Sequence, residues 1–200
     1  MHKHTRLSPL AAAIALGVAA LPAAAQEHAM HQGAMPTSGL RAELIQDVEA
    51  LESKFLGLAD AMQGKYEWRP GAGVRSVSEV FMHVAAANLV LPSMAGVQPP
   101  EQFRAADMQA TIAKMQELEK VTDPARVRET LQHAFTHVKH AIAQVPDDQL
   151  DAKTQIFGHE GTKRQVLTLL VTHMHEHLGQ SIAYARANGV VPPWSAAGGM

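Results

Sequence analysis

The 200-residue chain contains no cysteine. That absence excludes disulfides, thiolate metal ligands and a cysteine nucleophile. Any stapling of the fold falls to core packing or to a metal held by other side chains, and any thiol in its chemistry comes from a substrate. Aromatic residues make up only 4% of the chain, too few for a platform on which bases stack. Neither sign of charge dominates: 17 Lys and Arg stand against 19 Asp and Glu, for a formal net charge of −2. The clustered basic face that a nucleic-acid partner needs is missing. Period-two alternation is nowhere sustained, so no sheet is expected.

The N-terminus reads as a targeting segment. Lys3 and Arg6 open it, LAAAIALGVAAL over 10–21 is a short apolar run, and Ala23-Ala24-Ala25 supplies small residues before Gln26. This is the layout of a secretory signal peptide over residues 1–25, with cleavage expected after Ala25. The run is short for a bilayer span. The mature chain is therefore expected in the periplasm or outside the cell, with no stable membrane insertion. Residues 26–38 follow as a flexible leader. Its His28, Met30, His31 and Met35 are ligand types that suit copper, but the segment reads as a spacer.

The remainder has helical spacing. Leu40, Leu44, Val48, Leu51, Phe55, Leu58 and Met62 recur every three or four residues over 39–63 and mark one helical face. Gly64 is a stop, and a Gly/Pro-rich loop follows. Ser76 and Glu79 fit a capping box that opens a second helix, which runs to about Leu91 before Pro92. A connector with Pro99-Pro100 leads to a polar helical segment around Ala105 to Lys120. Asp123-Pro124 then starts a helix that runs to about Gln144. A loop containing Gly158 and Gly161 precedes a second capping box at Thr162 and Gln165. The last helix runs to Asn188, with Gly189 at its C-terminal cap. Four amphipathic helices predict an all-α fold, a four-helix bundle over 39–195, with a disordered tail at 196–200.

The chain has 12 histidines, and helical position sorts them. A helix advances about 100° per residue. In 123–144 the apolar stripe is Val127, Leu131, Ala134, Val138, Ile142 and Val145. His133, His137 and His140 lie about 120° to 180° from its centre and are expected to face water. In 162–188 the sorting differs. His173 and His177 lie about 40° apart, beside Val166, Leu170 and Tyr184, so both face inward, while His175 faces outward. Two inward imidazoles one turn apart can grip one cation. His83, at the edge of the stripe Val77, Val80, Val84, Ala87 and Leu91, can supply a third ligand. Three neutral imidazoles with an open position make a catalytic type of zinc site, and nickel, iron or manganese would tolerate it. The alternative is a set of packed histidines bonded to carbonyls. The metalloprotease pattern HExxH and the E-x-x-H di-iron pattern are both absent.

Two segments carry a resemblance. YEWRPGAGVRSVSEVFMHVAAAN at 66–88 and LTLLVTHMHEHLGQSIAYARANGVVPPWS at 167–195 resemble the two signatures of the DinB-like superfamily, and the likeness covers about 39–195. The resemblance implies an up-and-down four-helix bundle with a long crossover connection, often dimeric, so that a homodimer is expected. It implies a divalent metal held by His83, His173 and His177. Members with known chemistry are thiol-dependent transferases and isomerases, in which the metal activates the thiol of bacillithiol, mycothiol or glutathione.

Two functions follow as expectations. One is a metal-dependent transferase or hydrolase that activates a thiol or water, with Asn88, Gln180 and Tyr184 supporting the ligands from behind and Trp194 lining the pocket. The substrate is then a small molecule, and zinc or nickel is the expected ion. The other is a non-catalytic, metal-holding or stress-protective protein.

Overall fold

A computed structural model of the chain describes residues 35–196. The expected signal peptide, its cleavage point, residues 26–34 of the leader and residues 197–200 of the tail lie outside the described residues. The fold is mostly helical. Helix α1 spans Gly39–Ala61, α2 Val77–Val90, α3 Met108–Glu119, α4 Pro124–Gln144 and α5 Lys163–Ala187, with a short α6 at Pro193–Ala196. The helix starts follow the side-chain signals. The Ser76 N–H donates to Glu79 Oε2 at 2.6 Å, and the Glu79 N–H returns to Ser76 Oγ. Thr162 and Gln165 do the same at the head of α5, and Asp123 accepts from the Arg126 N–H at the head of α4.

Helix α1 packs on α4 and α5, and α2 packs on α4, α5 and α3. Their shared core holds Phe55 of α1, Phe81 of α2 and Phe135 of α4, all at most 1% exposed. The Phe55 ring centroid lies 6.4 Å from Phe81 and 5.7 Å from Phe135. Helix α5 adds Val166, Leu167, Leu170 and Met174. The polar helix α3 sits in the long connection between α2 and α4, and none of its residues is buried. The stretch Val77–Ala95 is long and apolar enough to cross a membrane, yet 72% of its most apolar window is buried inside the protein, as in a core helix.

Two expectations are corrected. The loop before α5 is an antiparallel hairpin, β1 Lys153–Ile156 with β2 His159–Thr162, in register Ile156 opposite His159. Its two-residue turn, Phe157-Gly158, has positive φ at both positions, the geometry that matches strand twist. Gly161 lets the Ile156 side chain lie close: a Cβ there would meet Ile156 Cδ1 at 2.6 Å, so that side chain would have to move. Each strand is only four residues long and half-exposed, too short for alternation to register in the sequence.

The other correction concerns α4. His133 is exposed, but His137 and His140 are half-buried. The His137 Nε2 is buried with no partner among the described residues. Helix α4 is flanked by both α1 and α2, so its covered arc is wider than its aliphatic stripe. Burial pushes His137 down to about 4, and the nearby His133 and His140 push in the same direction. Its folded pKa thus lies below the ordinary value of about 6.5. The unfolded chain takes up this proton first, so His137 costs no stability above about pH 6.5 and destabilises progressively as pH falls toward 4. Urea titrations of His137→Gln should therefore show a shallower loss of stability across that window than the wild type. An unchanged slope would place the acid sensitivity elsewhere.

Candidate metal centre

The second turn of α2 and the middle of α5 face each other and bring together the three histidines chosen from the sequence. One ligand atom from each of His83, His173 and His177 lies within 4.8 Å of the others, and all three side chains are half-buried. Ring centroids are 5.2 Å apart for His83 and His173, 4.8 Å for His83 and His177, and 4.5 Å for His173 and His177. His175 is exposed, as its helical position requires.

Hydrogen bonds behind the rings set which nitrogen is offered. The His83 Nδ1 lies 2.9 Å from Glu119 Oε1. Burial pushes the Glu119 carboxyl up, but the bonds from His83 and Arg75 outweigh it and hold the carboxyl below its ordinary range. Glu119 is thus an acceptor, His83 donates from Nδ1, and its Nε2 lone pair turns inward. The tautomer of His177 follows from a longer chain. The Tyr184 hydroxyl donates to the Arg75 carbonyl at 3.2 Å, and Gln180 Nε2 donates to that hydroxyl at 3.0 Å. The amide oxygen of Gln180 must then face His177 Nδ1, at 2.8 Å, and accept its proton. The His177 Nε2 is left unprotonated.

His173 completes the set. Its Nε2 faces His83 Nε2 at 3.3 Å. Two nitrogens bound at about 2.0–2.1 Å to one tetrahedral ion sit about 3.4 Å apart, so the pair is spaced to share a cation. Burial pushes His173 down to about 4, helped by His177, His83 and the charge of Arg75. Burial also lowers His177, against the Gln180 bond that raises it. Neutral imidazoles of this kind are ready ligands, because metal binding requires the unprotonated form. The residues fit a divalent ion.

The other candidates divide. Gln180 holds His177 directly, and Tyr184 holds Gln180. Asn88 is 1% exposed and donates to Met174 Sδ at 3.3 Å, with no hydrogen bond to any of the three histidines. The Tyr184 ring packs on Trp68, 5.3 Å away, and Trp194 lies under the Lys54 ammonium. Sequence reasoning missed Glu119 and Arg75. Glu119 is 36 residues from His83, on a helix read only as polar, and no spacing rule connects the two.

Carboxylates that hold a ligand histidine fix its orientation and raise its basicity. Glu119→Ala is therefore expected to weaken divalent-metal binding about 10–100-fold. Competition against a chromophoric chelator measures this, and Glu119→Gln should recover part of the loss. Unchanged affinity in both variants would remove Glu119 from the centre.

Comparison with known proteins identifies the fold and the family. A crystal structure of a DinB-like protein from Bacillus subtilis matches with a TM-score of 0.56 at 18% identity, over 74% of this chain and 93% of that one. At that identity the likeness shows the fold. Comparison with curated proteins gives no match. The family model described as the DinB superfamily matches residues 47–181, which include His83, Glu119, His173 and His177. That match spans more than half of the sequence, and the chain belongs to the DinB superfamily.

Proposed function

We propose that this protein holds one divalent ion, zinc or nickel, through His83, His173 and His177, and that the centre activates a thiol or a water molecule toward a small electrophile. The observation that carries the reading is the convergence of three ligand atoms within 4.8 Å, with the tautomers of His83 and His177 fixed from behind. An ion with three protein ligands keeps an open position and lowers the pKa of what occupies it. The chain's own residues orient the imidazoles. Glu119 fixes His83 from α3, and Gln180 with Tyr184 fixes His177 along α5. In this reading α1, α2, α4 and α5 form the four-helix bundle and α3 rides in its long crossover. The same reading takes the chain as exported, on the layout of residues 1–25.

A second reading, metal holding without turnover, is favoured by one observation. Glu119, the carboxylate bonded to the centre, is engaged on both oxygens, by His83 and by Arg75. It is not free to serve as a general base. Cobalt substitution separates the two. In the catalytic reading, added 2-mercaptoethanol gives a thiolate-to-cobalt charge-transfer band. A cobalt spectrum that no thiol or azide perturbs would leave a closed, storing site.

A further inference from the structure

We infer that Arg75 makes this centre selective for a carboxylate-bearing ligand, and this rests on the metal reading above. Arg75 immediately precedes the N-cap Ser76. Its carbonyl accepts from the Tyr184 hydroxyl, so its backbone is tied to the same chain that orients His177. Its Nε donates to Glu119 Oε2 at 3.1 Å, while the other oxygen of that carboxylate holds His83. The guanidinium therefore stands one carboxylate away from a ligand histidine.

The division of Glu119 decides what Arg75 has left. Arg41 and Arg164 each place Nε and Nη2 on the two oxygens of one aspartate. Arg75 does not, and the second oxygen of Glu119 bonds His83 instead. It touches Glu119 through Nε alone, and among the described residues neither Nη atom has a hydrogen-bond partner. The side chain is 42% exposed, so it reaches solvent while bonded to the carboxylate that holds His83. A planar guanidinium edge matches the two oxygens of a carboxylate.

Charge points the same way. The histidines enter as neutral ligands, and Glu119 and Arg75 cancel. No group hydrogen-bonded to the histidines then offsets the two positive charges of a bound ion, Glu176 acting on His177 through its charge alone, which favours an anionic partner. A ligand with its reactive atom at the ion and its carboxylate at Arg75 satisfies both.

The test uses cobalt-loaded protein and four thiol probes. These are mercaptoacetate and 3-mercaptopropionate, which carry a carboxylate, 2-mercaptoethanol, which is neutral, and cysteamine, which is cationic. At least one carboxylate thiol should bind about ten-fold more tightly than 2-mercaptoethanol, with cysteamine weakest. Arg75→Gln should erase that preference by weakening the carboxylate thiols about ten-fold more than 2-mercaptoethanol, a split that general damage to the centre, which weakens all four probes alike, would not give. Arg75→Lys keeps the charge without the planar edge and should retain part of the preference; it replaces Arg75→Gln if that variant fails to load cobalt. Equal affinities for neutral and anionic thiols, or a preference that survives both substitutions, would overturn the inference. If no thiol binds, the thiol-activation reading fails by itself, and calorimetric titration with malonate decides about Arg75. Malonate binding that depends on Arg75 upholds it, and binding that is absent or indifferent to Arg75 overturns it.

Discussion

His173→Ala/His177→Ala is expected to bind no divalent metal, and the wild type is expected to bind about one ion per chain through three histidines. The double substitution leaves His83 alone, and a single imidazole does not hold zinc or nickel against water. A His133→Ala/His137→Ala control removes the same residue types from α4, away from the centre, and should keep full metal content. Elemental analysis after reconstitution reads both. Stability supplies an independent measure. An ion bound only by the folded state adds about 4 kcal/mol when its free concentration is a thousand times its Kd. For a domain of this size about 1 kcal/mol moves Tm by roughly 2–4 °C. A chelator should thus lower the wild-type Tm by roughly 8–16 °C at such saturation, and should leave the double variant unmoved. A wild type that takes up no metal, or a chelator shift that persists in the double variant, would reduce the three histidines to packing.

Phe55→Ala should cost about 3–5 kcal/mol, the usual range for deleting a fully buried aromatic ring. Phe55 is 0% exposed and touches rings from two other helices, Phe81 of α2 and Phe135 of α4. No single neighbour can move into the space without leaving its own partners. Urea unfolding measures the loss, and Val74→Ala, at a position 42% exposed, is the control that should stay within about 0.5 kcal/mol. Metal stoichiometry in folded Phe55→Ala should be unchanged, because the three histidines are carried by α2 and α5, and His83 and His177 are held by their own polar partners. A cost below about 1 kcal/mol would mean that the core relaxes around the cavity.

These two experiments probe features of different legibility. Phe55 was readable because its neighbours Leu51 and Leu58 repeat at helical spacing, so its face had to be the buried one. The hairpin at 153–162 was not readable. Its strands are four residues long, and its turn rests on positive φ at Phe157 and Gly158, which no periodicity signals. His137 was misplaced because a helical wheel ranks faces within one helix. It does not register that α4 is covered on two sides.

The sequence by itself determined the parts of the centre that depend on one helix. His173 and His177 are one turn apart in any helix, His175 points away from them, and Gln180 and Tyr184 continue the line from His177 at spacings of three and four. Capping boxes at Ser76 and Thr162 fixed where the helices that carry the ligands begin. Only the tertiary structure decided that Glu119 stands behind His83 and that Arg75 shares that carboxylate. The physical reason is separation. Contacts across 36 and 44 residues depend on how α3 is laid against α2 by the whole connection, and no periodicity along the chain encodes them.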